Sequence, residues 1–135
     1  MNSIFELGSA IYSPKVPASQ DFYNKYKSTF GKPIKGGHGV APAYESVYIL
    51  AEAIERAGSL DPDAIVAELE KTDRMGVMGR VKYDEGHQAI FGSDPQETAV
   101  GTVFQWTEDG KREIVFPESI AEAKIQLPPG LKSLK

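Results

Sequence analysis

The chain has 135 residues and a mass of 14.7 kDa, enough for one domain that buries roughly two-thirds of the surface its unfolded form exposes. With 41% hydrophobic and 25% charged residues, the composition argues against wholesale disorder, a collagen-like fibre or a disulfide scaffold. The 19 acidic and 15 basic residues give a net charge of −4, the wrong sign for a surface whose partner is a nucleic-acid backbone. The absence of cysteine removes disulfides, thiolate metal sites and cysteine nucleophiles together. The longest apolar run, Val47 to Ala51, is far too short to span a membrane. The residues from Met1 to Glu6 lack the basic and apolar regions of a secretory signal.

In chain order, Ile4 to Tyr12 reads as a short strand that runs into a loop at Ser13-Pro14-Lys15-Val16-Pro17, where two prolines prevent regular pairing. A first helix follows, with Ser19 as N-cap, Asp21 near the positive end of the dipole and Gly31 as the stop. Its aromatic stripe of Phe22, Tyr26 and Phe30 has the spacing of a core-facing surface. The glycine-rich segment from Lys32 to Val40 then leads to Pro42, which opens a second helix ending at Ala57 before Gly58. Its apolar face is expected at Tyr44, Val47, Ala51 and Ile54, widened by Tyr48, Leu50 and Ala53. Asp61 and Pro62 start a third helix with Ile65, Val66 and Leu69 inward and Glu68 and Glu70 outward.

After Thr72 the pattern changes to alternation. Met75 to Gly79 reads as a turn, Arg80 to Tyr83 as a strand with one wet face, and Asp84-Glu85-Gly86-His87 as the next turn. Thr98 to Trp106 alternates as one strand, Asp109-Gly110 marks a tight hairpin, and Ile114 to Phe116 returns. The segment from Pro117 to Lys135 allows one helical turn near Ser119 to Ala123 and an extended surface tail.

Few residues in this order suggest chemistry. His38 and His87, the only histidines, have no metal-site spacing, so neither a metal nor a cofactor is expected. Asp84-Glu85 fits a solvated turn better than an acid–base pair, and no nucleophile elbow or triad context occurs, so the chain does not read as an enzyme. Gly36-Gly37-His38-Gly39 lacks the endings of phosphate-binding loops and reads as a connector or hinge. At a hinge, His38 and Tyr44 are the residues placed to face a ligand.

The helix from Ala43 to Gly58 with Asp61-Pro62-Asp63-Ala64-Ile65 resembles the C-terminal part of the branched-chain amino-acid-type solute-binding proteins of ABC transporters. Met78 to His87 is similar to the family's G-x-V-x-F-D-E-x-G-D segment, with Tyr83 in place of Phe and His87 where Asp is usual. Phe104 to Lys111 matches its Q-W-x-x-D-G-K hairpin and Val115-Phe116-Pro117 its V-x-P ending, while Phe22 to Phe30 with Gly31-Lys32-Pro33 also fits.

The resemblance implies an α/β chain, a partial type I periplasmic-binding fold with three helices, short strands and a C-terminal β-hairpin. It implies the final third or so of a two-lobed protein, with residues 1–35 and 98–135 resembling lobe two and residues 36–97 lobe one. The implied function is solute binding without chemistry, for an amino acid or similar small polar molecule, with ABC transporter membrane subunits as partners and a periplasmic or other extracytoplasmic location. The family's ammonium-binding acidic residue falls near Glu6, while Tyr12, His38 and Tyr44 are cleft residues by position. Unfilled helix faces and strand edges imply association with a second copy or with the N-terminal half of such a protein. The alternative is a ligand-sensing or protein-interaction module that reuses this part of the fold; a small hydrolase relying on His38 or His87 comes third.

Overall fold

A computed structural model describes residues 5–8, 13, 15–34 and 38–127. Strand β1 (Phe5–Gly8) lies inside the expected first strand, whose other residues fall outside the described ones. Helix α1 (Pro17–Phe30) starts earlier than the sequence suggests. Pro17 occupies its first turn, where a missing N–H costs nothing, and the Val16 carbonyl accepts from the Ser19 and Gln20 amides at 3.0 and 3.2 Å. Ser19 is therefore not the N-cap; it is fully buried within the first turn, and Asp21 sits beyond the dipole's positive end. Gly31 ends the helix as expected, at φ 68°, a left-handed conformation open to glycine at little cost.

Helix α2 (Val40–Ala57) also ends as expected, at a left-handed Gly58. Its buried face differs from the expected one. Ala41, Glu45, Ile49 and Ala53 form the buried stripe, while Val47 is 67% exposed and Tyr48, Leu50 and Ala51 also face outward. Two alanines let the helix approach closely, and a charged residue between them finds partners that hydrophobic patterning does not reveal. Helix α3 (Pro62–Leu69) starts as predicted: Asp61 Oδ1 accepts from the Ala64 amide at 3.0 Å, with Pro62 in the first turn. Glu68, expected to face water, instead accepts Arg56 Nε at 3.3 Å and Lys71 Nζ at 2.6 Å, tying α3 to α2. Val66, expected inward with Ile65 and Leu69, is 45% exposed.

The segment expected to be a turn contains another strand, β2 (Asp73–Gly76), antiparallel to β3 (Gly79–Lys82). Gly76 pairs with Gly79, leaving only Val77 and Met78 in the connection, and both are buried. Glu45 holds this turn. One carboxylate oxygen accepts Arg74 Nε at 2.5 Å and the other the Val77 amide at 2.7 Å, while Glu45 is only 1% exposed. Arg74 also pairs with Glu52 and stands 5.1 Å from the Tyr48 ring centre. The carboxylate leaves no room for a side chain at position 76: a Cβ there would lie 2.1 Å from its oxygens.

The next turn follows the sequence reading, with Asp84 Oδ1 accepting from the Gly86 and Gln88 amides at 2.9 and 3.0 Å. Strands β4 (Phe91–Gly92) and β5 (Ala99–Val100) pair in parallel and complete a sheet of order β2-β3-β5-β4. The single strand expected from Thr98 to Trp106 is divided at Gly101. Its second part, β6 (Thr102–Trp106), joins a different sheet of order β1-β6-β7, with β7 (Arg112–Phe116) as the returning arm. Ala99 enters the cluster of Ala41, Ile49, Val77, Met78 and Val81, whereas Val100 enters that of Val16, Phe104, Ile114 and Ile120. Alternate residues of a strand point to opposite faces, so one dipeptide supplies both cores.

The expected hairpin closes with the Thr107 amide donating to the Lys111 carbonyl at 2.8 Å and Gly110 at φ 77°. Beyond β7, Ile120 is buried and the Glu122 amide bonds back to the Ile114 carbonyl at 2.8 Å. The tail is thus tied to the sheet as far as Gln126, which exchanges two hydrogen bonds with Gln105 at 2.7 and 2.9 Å. The remainder of the expected tail lies outside the described residues.

Three substitutions test these contacts. Glu45→Gln, which keeps the shape but weakens the bonds to Arg74 and Val77, is expected to cost about 1–3 kcal/mol in urea unfolding, and Gly76→Ala a similar about 1–3 kcal/mol from overpacking. Wild-type midpoints for both would refute this account of the turn. In the hairpin, the bonds from Lys111 Nζ and Thr107 Oγ1, at 2.7 and 2.5 Å, hold Asp109 at about 2, below the usual 3.8. A depressed carboxyl pKa stabilises the fold above the ordinary value, and that contribution is lost as pH falls through the folded value. The gap in urea midpoint between wild type and Asp109→Asn should therefore be full at neutral pH and close between pH 3.8 and about 2.

Candidate ligand-binding site

Tyr44 stands on the second turn of α2, half-buried against α1. Its ring centre lies 4.4 Å from that of Phe22 and 4.9 Å from that of Tyr48. The hydroxyls of Tyr44 and Tyr48 are 3.4 Å apart, and this bond, followed by partial desolvation, raises the Tyr44 pKa above the ordinary phenol value. Beside it, α1 and the start of α2 enclose an open groove of about 300 Å³, walled by Phe22, Tyr26, Phe30 and Tyr44, with Val40, Lys25 and Thr29 completing the lining. The aromatic stripe expected to be core is therefore only partly so. Phe22 and Tyr26 are half-buried, and Phe30 is 60% exposed with its ring 4.7 Å from Tyr26. A stripe packed against one neighbouring helix is covered along one side only.

His38 lies exposed just before Gly39, the residue that precedes α2, so it shares with Tyr44 the N-terminal end of that helix. Gly36, Gly37 and Tyr12 lie outside the described residues. Glu6 sits apart from this group. In the β1–β6 register it faces Phe104, and its carboxylate accepts Arg112 Nη1 at 3.1 Å, with both side chains about three-quarters covered. The Arg112 guanidinium also stands 4.3 Å from the Phe104 ring centre. A charge-assisted bond of this kind neutralises much of the acid's field, so Glu6 does not stand as a lone anion.

The two groups meet through α1. Phe22 packs on Tyr44, while the adjacent Tyr23 shares with Arg112 a cavity of about 190 Å³. Burial raises the Tyr23 pKa, opposed by the positive field of Arg112. The structure thus places Tyr44 and His38 at one helix end and Glu6 on the sheet beyond α1. Sequence patterning missed Arg112, Lys25 and the groove-facing role of Phe22. A basic residue on a strand that also carries Ile114 and Phe116 was the one available signal for Arg112.

A further cavity of about 220 Å³ lies between α3 and the Asp84 turn, with Val66, Leu69 and Tyr83 as walls and Glu70 and His87 at its polar side. There His87 Nδ1 is 3.4 Å from Glu70 Oε1. Among the described residues, no group of three or more His, Cys, Asp or Glu side chains is arranged to hold a metal ion, and no helix is long and apolar enough to cross a membrane.

Comparison with known proteins places these features in a family. Residues 6–111 match the family model described as periplasmic binding protein. Leu/Ile/Val-binding protein homolog 7 of Brucella melitensis is 27% identical over 123 residues, which are 88% of this chain and 29% of that relative. Leu/Ile/Val-binding protein homolog 8 of Brucella abortus is 27% identical over 118 residues, 87% of this chain and 28% of that relative. The chain therefore spans less than a third of the length of these relatives. Among solved structures, the leucine-binding protein LivK of Thermotoga maritima superposes with a TM-score of 0.60 at 27% identity, over 82% of this chain and 29% of its own. A chain from Silicibacter pomeroyi assigned to a branched-chain amino acid ABC transporter reaches a TM-score of 0.73 over 91% of this chain and 33% of its own, and at 17% identity this likeness concerns the fold alone. The match from Glu6 through the Asp109 hairpin carries the conclusion: the chain belongs to the periplasmic binding protein family and has part of the type I periplasmic-binding fold.

Proposed function

We propose that this chain is part of the solute-binding component of an ABC transporter, taking an amino acid or similar small polar molecule and releasing it unchanged. The observation that carries this reading is the family match over residues 6–111, supported by relatives named as Leu/Ile/Val-binding protein homologues. In this reading the chain works outside the cytoplasm, and its docking partners are the transporter's membrane subunits.

The division into lobes has support from the sheets. Strands β1, β6 and β7, from the first and last segments, form one sheet; β2, β3 and β4, from the middle segment, form the other together with β5. Gly101, between β5 and β6, is then the point at which the chain passes from lobe one to lobe two. The α1 segment packs toward both clusters, through Val16 just before the helix on one side and through Phe22 and Tyr23 on the other, as a segment at a lobe junction would. The proposed ligand contacts are His38 and Tyr44 at the start of α2, Glu6 acting from within its pair with Arg112, and Tyr12, which lies outside the described residues.

Apolar side chains stand uncovered on both parts: Val47, Leu50 and Val66 on the helices, Leu60 in the connection between α2 and α3, and Leu7 and Phe116 on the sheet of β1. Surface of this kind marks an interaction site when it is contiguous. It supports association with a second copy or with the rest of a two-lobed protein, and equally favours the second reading, an interaction module that needs no solute.

A thermal-shift screen against amino acids, small amides and carboxylates, with light scattering in the same buffers, separates the two. Ligand at 100 times its Kd should stabilise the chain by about 2.7 kcal/mol. A ligand-specific shift supports solute binding, and a flat screen on a folded oligomer overturns it for this chain in favour of the interaction module.

A further inference from the structure

Four of the seven residues that line the groove between α1 and α2 carry aromatic rings. Phe22, Tyr26 and Phe30 project from successive turns of α1, and Tyr44 faces them from α2. Phe22 and Tyr44 touch across the helices with ring centres 4.4 Å apart, which bounds the groove at that end and suits a short ligand better than a helix running through. Its volume of about 300 Å³ lies at the small end of the range for small-molecule sites and is about twice the cavity that accepts one benzene ring.

The polar lining is equally specific. Lys25 is the charged residue of the groove and Thr29 adds a hydroxyl, with no acidic side chain among the lining residues. Among the described residues no carboxylate forms an ion pair with Lys25, in a chain whose net charge is −4. The Tyr44 hydroxyl is engaged by Tyr48 and holds its proton, so the α2 wall is uncharged. Aromatic walls favour a flat π-system through offset and edge-to-face contacts, and an unopposed ammonium favours an anion at the rim.

We propose that this groove binds a small aromatic carboxylate, with the ring between the aromatic walls and the carboxylate on Lys25 Nζ. The inference rests on the solute-binding reading and narrows its ligand class.

The test is calorimetric titration of the chain with phenylacetate, 2-phenylethylamine and valine, with amide resonances followed by NMR. Phenylacetate should bind and shift the resonances of Lys25, Thr29, Phe30 and Val40, while 2-phenylethylamine should not bind there. Lys25→Gln should weaken phenylacetate about fivefold, and Phe30→Ala about fivefold. Both replaced residues are exposed, and circular dichroism checks that the variants remain folded. Equal binding of the acid and the amine, indifferent to Lys25→Gln, overturns the carboxylate assignment. Valine binding that neither substitution affects, without phenylacetate binding, overturns the groove as the ligand site and leaves solute binding standing. No binding of any of the three overturns the proposal, and failure of the wider thermal-shift screen as well removes the solute-binding reading beneath it.

Discussion

The buried carboxylate of Glu45 is the constraint on which the packing of the helical part depends. It lies on α2 between Ala41 and Ile49, and it is satisfied by a guanidinium from β2 and by the amide of Val77 in the following turn. A buried charge is costly unless paired and hydrogen-bonded, so Glu45 permits one placement of the β2–β3 hairpin against the helix. Gly76 is the consequence, since the carboxylate occupies the space a side chain would need. Burying Val77 and Met78 in the turn then brings two apolar side chains into the same core as Ile49 and Val81.

That core ends at Ala99, and the second begins at Val100. The division at Gly101 lets one short run of chain serve two sheets, with Ala99 buried in one cluster and Val100 in the other. This agrees with the proposed division of the chain between two lobes. It also accounts for the uncovered apolar positions. Val47 and Leu50 remain open on α2 while Leu7 and Phe116 remain open on one sheet, apolar surface that ordinary polar-out patterning of a solvated antiparallel face would not leave.

The aromatic groove follows from the same incompleteness at a smaller scale. The stripe on α1 has one helical neighbour, so Phe22 is held by Tyr44 while Tyr26 and Phe30 are left as walls. Apolar periodicity says that such residues share a face; what covers that face is decided by elements distant in sequence. The Glu6–Arg112 pair illustrates the same point for charge, because its members are 106 residues apart and meet only when β1 and β7 flank β6.

By itself the sequence determined the signals that act within a few residues. The left-handed glycines after α1 and α2, the Asp61 cap with Pro62, the Asp84 turn and the Asp109-Gly110 hairpin all rest on local dihedral preference and short-range hydrogen bonds. Its motif order also carried the family. Tertiary structure decided the rest: that Ser19 is buried in a helix started by Pro17, that the inward face of α2 centres on Glu45, that a strand precedes Val77, and that the run from Thr98 to Trp106 divides between sheets. Of the candidate ligand residues, position in the chain brought His38 and Tyr44 to one helix end, but the partners of Glu6 and the walls around Tyr44 came from other elements. Local preference is written in neighbouring residues, whereas burial and ion pairing depend on which distant surfaces meet, and that choice belongs to the packing of the whole chain.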